Sequence, residues 1–548
     1  MTSATAPWAD LLARLRRAVR QAGYLRKWVA LGVLIGIIGG LGALVFYTAL
    51  GAASDLFLGL LAGLPVARPA GEGGAPIVPA LRPWALPLVT GLGGLLSGLI
   101  VFRLAPEAEG HGTDAAIAAF HHQPRGIRAR IPLVKIVASA ITIGSGGSGG
   151  REGPTAQISA GFGSFLGRLL DLEPRDARIA VAAGIGAGIG AIFRAPLGGA
   201  VLGAEIMYVE DVEADALVPS FVASIVAFAI FGTVVGFEPI FGSQAAYTFH
   251  DPTQLVWYAL LGVIAGLVGT LYIEGFYGLG DLFARWRLPR ALKPAAAGVL
   301  VGLLGIALPG VLGTGYGWLQ AGFDRQALLD LPLAVVVVLP FAKILATGLS
   351  IGSGGSGGIF GPGMVIGGLL GATVWRLLAP IAPGIPSDPA PFTIVAMMAL
   401  FGSVAHAPLA VMLMVAEMTG NLGMLAPAMV AVALATFVVG RRTIYRSQLL
   451  TRAESPAHRF RTALPLLAAY TAGDAARPPA VVLHAEEPVA AARARLIGAD
   501  AAWAPVVGRA GAFVGGVSLA ELEAADDEQT VRSVARPWPH VRSDDGLD

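Results

Sequence analysis

The octapeptide Ile-Gly-Ser-Gly-Gly-Ser-Gly-Gly occupies Ile143–Gly150 and recurs, letter for letter, at Ile351–Gly358. Each copy runs into a residue-Gly-Pro frame: Arg151-Glu152-Gly153-Pro154 in the first and Ile359-Phe360-Gly361-Pro362 in the second. In a soluble chain such a run reads as a flexible linker. Both copies here lie inside long apolar sequence, where a floppy linker has no use. Upstream, Lys135-Ile136 and Lys343-Ile344 repeat at the same offset. Downstream, Arg194-Ala195-Pro196-Leu197 is echoed by His406-Ala407-Pro408-Leu409, and Ala204-Glu205 by Ala416-Glu417. A fainter echo links 36–47 with 262–273. Two related halves therefore span roughly 31–210 and 257–419.

Composition sets the surroundings of these halves. Of 548 residues, 55% are hydrophobic and 14% charged, and the mean hydropathy is +0.70. A soluble protein carries about 25% charged residues, so most of this chain belongs in a lipid bilayer. Glycine, at 75 residues, suits close helix packing and broken helices. The charges, 38 basic against 36 acidic, argue against nucleic acid as a partner. With no cysteine, disulfides and thiolate metal sites are excluded. No metal site and no cofactor are expected.

Basic residues cluster at Arg14–Lys27, Arg125–Arg130, Arg285–Arg290 and Arg441–Arg446. Under the positive-inside rule these clusters, and both termini, face the cytoplasm. The reading is a cytoplasmic segment 1–28, a membrane domain 29–454 and a cytoplasmic tail 455–548. The apolar segments are interrupted near Gly149, Pro196, Gly357 and Pro408, as expected where discontinuous helices meet at mid-membrane. In the tail, 481–522 reads as strand, helix, strand, strand, helix.

Glycine-rich backbone leading into a helix exposes main-chain N–H groups, and the helix start adds about half a positive charge. Two such starts, one per half, suit a small anion held loosely enough to leave again. Glu152, a carboxylate at one of these starts, occupies the place an anion would take and so reads as a gate. We find no P-loop or HExxH sequence, and no enzyme is expected.

At these residues the chain resembles the CLC family of chloride channels and proton–chloride exchangers. Gly150-Arg151-Glu152-Gly153-Pro154 is similar to the family's GREGP filter segment, which gives Glu152 the role of the gating glutamate. Gly358-Ile359-Phe360-Gly361-Pro362 is similar to GxFxP, whose amides at Ile359 and Phe360 would line the anion site. Tyr445 resembles the tyrosine whose hydroxyl reaches the same anion. The resemblance implies an all-α, polytopic, double-barrelled fold of two inverted repeats with broken helices, followed by a small α/β CBS-like tail. It also implies a homodimer in a bacterial plasma membrane, with chloride as permeant ion and one pore per subunit.

Two departures stand out. The family's GSGIP segment here resembles Gly110-His111-Gly112-Thr113-Asp114, so His111 replaces the serine and Asp114 the proline. An imidazole N–H can still donate to an anion. The exchangers' internal proton-transfer glutamate falls at Ile206, which carries no proton. Glu205 beside it lies about 100° away on a helix, and its echo at Glu417 suggests a structural role for both. A passive chloride channel is therefore expected, with proton–chloride exchange as the alternative. A sodium-coupled carrier for an organic solute fits the broken helices but not these three segments. The tail resembles one CBS unit, and Val541–Asp545 reads as the start of a second. A single unit is expected to be poorly ordered or packed against a neighbour, because its sheet would lack cover.

Overall fold

The computed structural model describes residues 7–458 and 470–545. The sequence repeat becomes a repeat of helices. A leading helix α1 (Pro7–Gln21) precedes α2 (Tyr24–Ser54), α3 (Leu86–Leu104), α4 (Thr113–His122), α5 (Arg130–Gly144) and α6 (Glu152–Leu169). The first half closes with α7 (Pro174–Ile192), α8 (Pro196–Glu205) and α9 (Leu217–Val235). The second half follows in the same order: α10 (Leu255–Arg285), α11 (Lys293–Ala307), α12 (Tyr316–Gln320), an added α13 (Arg325–Asp330), α14 (Leu333–Gly352) and α15 (Phe360–Leu378). It ends with α16 (Ala390–Val404), α17 (Pro408–Thr419) and α18 (Leu425–Val439).

The repeated octapeptide is where α5 and α14 stop. Gly146 and Gly354, equivalent in the two copies, turn the chain at φ +104° and +102°, a backbone region that side chains disfavour. Pro196 and Pro408 then each open a helix at its first position, where the missing N–H costs nothing.

Equivalent residues pair across the junction of the halves. Gly150 N donates to Gly358 O and Gly358 N to Gly150 O, both at 2.7 Å and antiparallel. The Ser139 and Ser356 hydroxyls meet at 2.9 Å, and their repeat mates Thr347 and Ser148 do so at 2.9 Å. Such reciprocal bonds mark an approximate two-fold axis between inverted repeats. The α3–α11 contact between the halves shows why glycine is abundant. A Cβ on Gly94 would lie 2.1 Å from the Pro294 carbonyl oxygen, and one on Gly298 would lie 2.4 Å from that of Thr90.

Seven helical stretches among the described residues are long and apolar enough to cross a bilayer. Large apolar side chains stay exposed on the outer helices, including Leu41 and Val45 of α2 and Leu267 and Leu271 of α10. Meanwhile α16 is buried along its whole length. Apolar both inside and outside, the molecule is a multi-pass membrane protein.

The chain divides into two compact units at Ala457. The membrane unit extends slightly past the boundary read from sequence, because the Ser455 hydroxyl bonds His121 Nδ1 at 2.9 Å. In the second unit, β1 (Leu483–His484) pairs in parallel with β2 (Trp503–Val507), which pairs antiparallel with β3 (Phe513–Ser518). Helices Val489–Gly498 and Leu519–Glu523 give the order read from sequence. The Ser518 N–H and hydroxyl both donate to Glu521, holding that carboxyl below its ordinary value. The chain returns over the unit, with Arg532 N donating to Ala485 O and Gly516 and Arg536 exchanging backbone bonds. Leu483, Val489, Leu496, Val506, Val517, Leu522 and Val531 form its own core. Within 541–545, read from sequence as the start of a second unit, Asp545 O and Ser543 O accept from Ala472 N and Gly473 N.

Candidate functional site

Gly110-His111-Gly112 forms a tight loop with both glycines at positive φ, +73° and +82°, and it leads directly into α4. Buried Lys135 clamps the loop, its Nζ donating to the carbonyls of Ala108 (3.0 Å) and Gly110 (2.7 Å). The second half repeats the device. Gly313 and Gly315 also have positive φ, and Lys343 Nζ donates to Val311 O (2.9 Å) and Gly313 O (2.8 Å).

The starts of α6 and α15 meet at the Gly150–Gly358 pair. At Gly153 there is no room for a side chain, since a Cβ would lie 2.1 Å from the His111 carbonyl oxygen and 3.0 Å from Gly358 Cα. Three chain segments thus converge: 110–112, 150–154 and 358–362. Glu152, the first residue of α6, is fully buried. Its carboxylate accepts from Gly361 N of α15 at 3.1 Å and from the Tyr316 hydroxyl of α12. It therefore lies across the start of the helix from the other repeat, in a place that suits an anion.

The remaining residues assemble beside it. Ile359 and Phe360 are buried. Their amides find no backbone acceptor among the described residues, as at any helix start. The Ile359 carbonyl is turned to the Tyr272 hydroxyl, 2.8 Å away. The rings of His111 and Tyr445 stand 5.5 Å apart, and Phe276 stands 6.1 Å from His111. Among the described residues both His111 Nδ1 and the Tyr445 hydroxyl are buried without a standard hydrogen bond, Thr113 being the hydroxyl's polar neighbour. Buried polar groups are ordinarily satisfied. An anion between these rings would satisfy both, with the imidazole proton on Nδ1.

Asp114, where the family pattern has proline, has a job of its own. Its carboxylate accepts from Ser447 N and Ser447 Oγ, both at 2.7 Å, and so ties the start of α4 to the segment carrying Tyr445. The Tyr277 hydroxyl holds the same segment through Ile444 O at 2.7 Å.

Ile206 is buried at the end of α8, its carbonyl accepting from Gln448 Nε2 at 3.0 Å. Glu205 faces the other repeat, where its carboxylate accepts from Leu409 N (3.2 Å) and Ala410 N (2.7 Å) of α17. Among the described residues no three His, Asp or Glu side chains gather as a metal site.

Sequence reasoning missed Tyr316, Asp114's anchoring role and the two lysine clamps. Gly313-Thr314-Gly315-Tyr316 does echo Gly110-His111-Gly112-Thr113, but with only its two glycines in common and at a different offset from the octapeptide.

Comparison with known proteins agrees with this geometry. The family model described as "Voltage gated chloride channel" matches residues 93–440. The chain is 34% identical to the "Putative chloride channel protein ClcB-like" of Ralstonia nicotianae, over 64% of this chain and 82% of that one. It is 30% identical to the "H(+)/Cl(-) exchange transporter ClcA" of Citrobacter koseri, over 66% and 78%. Its fold is shared with a slow cyanobacterial Cl−/H+ antiporter (TM-score 0.65, 23% identity, 76% of this chain and 96% of that one). A eukaryotic CLC transporter also shares it (TM-score 0.60, 20% identity, 93% of both chains). With the repeated helix starts, the three converging glycine-rich segments and this match over most of the membrane unit, the chain belongs to the voltage-gated chloride channel, or CLC, family.

Proposed function

We propose that this protein is a passive chloride channel of the CLC type, gated by Glu152, with little or no proton coupling. The observation that carries this reading is at Ile206, where the exchangers' internal acid would stand. A side chain without a titratable group cannot relay a proton. The adjacent Glu205 is already committed to capping α17. In this reading chloride rests between the amides of Ile359 and Phe360, His111 and Tyr445. The segments Gly110–Gly112, Gly150–Pro154 and Gly358–Pro362 form the filter, and Arg151 flanks the gate.

Proton–chloride exchange on the same scaffold is the second reading, favoured by the ClcA relative's name. Reconstituted vesicles distinguish the two. With an imposed chloride gradient, the channel reading expects chloride flux without uphill proton movement, whereas robust proton pumping would establish exchange. The proposal extends to a homodimer with one pore per subunit in a bacterial plasma membrane, both termini cytoplasmic, and no cofactor. Its parts are the leader 1–28, the conducting domain 29–454 and the cytoplasmic CBS-like domain from 455.

A further inference from the structure

Arg151 is 3% exposed and adjoins Glu152 in sequence, yet the two make no close pair, with Nε 4.0 Å from Glu152 Oε1. The guanidinium is taken instead by Glu72, whose Oε1 lies 2.6 Å from Nη2. The rings of Tyr47 and Tyr316 flank it, each 5.3 Å from Cζ. Glu72 comes from the connector between α2 and α3, where Ala70–Glu72 makes one 3-10 turn. It lines a cavity of about 170 Å³ together with Tyr47, Arg151, Thr314 and Trp318.

That turn is pinned on three sides. Gly71 N donates to Ile240 O (2.9 Å), Ala70 N to Gln320 Oε1 (3.0 Å), and Arg194 Nη1 to Gly71 O (2.9 Å). A Cβ on Gly71 would lie 2.0 Å from Pro239 O, so the turn sits directly on the connector after α9. An exposed ion pair contributes little. A buried cation, by contrast, needs its partner, and losing one is strongly destabilising. Arg151 Nε, the atom on the Glu152 side, has no hydrogen-bond acceptor among the described residues.

We propose that Glu72 is a positioning residue for the gate: by taking the Arg151 guanidinium into a buried ion pair, it keeps that cation from clamping the Glu152 carboxylate in the anion's place. The proposal rests on the reading of Glu152 as gate. The groups facing Glu152 are Arg151 at the cap of its helix, Tyr316 of α12 and, within electrostatic reach, Tyr272 of α10 and Tyr445. Arg194 acts on both Arg151 and Glu72. Among these, Glu72 is the carboxylate in contact with Arg151. Without its charge, the full attraction of the guanidinium falls on Glu152 and favours its ionised form.

The test is chloride efflux from vesicles against external pH for wild type, E72Q, E152Q and the double variant. E72Q is expected to lower flux at neutral pH severalfold and to move the pH midpoint of conduction to acid by about one unit. In the E152Q background, E72Q should change nothing, because no gating charge remains to clamp. An E72Q midpoint that stays put, or that moves alkaline, overturns the proposal. If E152Q keeps the wild-type pH response, the gate reading falls and the proposal with it. A pH-flat E152Q beside an unmoved E72Q removes Glu72 alone. Gel filtration in detergent establishes that E72Q is folded. Should it not fold, E72D keeps the charge on a shorter arm and is expected to move the midpoint acid by a smaller step. An unmoved E72D midpoint would then overturn the proposal equally.

Discussion

Glu205 and Glu417 exchange helix caps across the two-fold axis. Glu205, ending α8, accepts from Leu409 N and Ala410 N at the start of α17. Glu417, near the end of α17, accepts from Leu197 N (3.1 Å) and Gly198 N (2.8 Å) at the start of α8. Each carboxylate meets amides that no helical carbonyl can satisfy and the positive end of the partner's dipole. The same pair gives the acid beside Ile206 a structural task.

Because the two caps are equivalent, Glu205→Gln and Glu417→Gln should destabilise similarly, by about 1–2 kcal/mol each. Thermal unfolding of the detergent-purified protein measures this. Chloride flux should survive in both. A Glu205→Gln variant that abolished a measurable proton flux would instead put Glu205 on a proton path.

Glu152→Gln removes the charge that lies across the start of α15 while keeping the side chain's shape. Chloride flux should rise, and its dependence on external pH should vanish. A variant with unchanged rate and unchanged pH response would end the gate assignment.

His111→Ser restores the hydroxyl usual in the family and removes an imidazole whose Nδ1 is buried without a partner. The ratio of chloride to nitrate or bromide flux, or the pH profile of conduction, should change. Identical selectivity and an identical profile would show that the ring packs against Tyr445 and Phe276 without touching the ion.

Asp114→Asn keeps the shape but withdraws the charge that holds Ser447 N and Oγ. Two charge-assisted bonds weaken, and the Tyr445 segment loosens. Chloride affinity, measured by titration calorimetry, should fall about threefold to tenfold. Unchanged affinity would mean that the Tyr277–Ile444 bond alone suffices to place Tyr445.

The sequence by itself determined the class of this protein and its division into two related halves, and the structure showed that they are inverted. Its hydropathy dictates a bilayer. Its repeated octapeptide, prolines and Ala-Glu pairs define two halves, because glycine breaks and proline starts are local backbone properties readable from residue type. The Gly150 and Gly358 segments were legible for the same reason, whereas the Gly110 segment came only from the family resemblance. The tertiary structure alone decided which side chain meets which. Arg151 adjoins Glu152 in sequence, but its guanidinium goes to Glu72 on a separate connector. Nothing near Tyr316 in the sequence marks it as a donor to Glu152, and nothing near Asp114 points to Ser447 more than 300 positions away. Buried polar groups must find partners wherever packing brings them. Those partners come from distant segments that only the closed pair of repeats brings into contact.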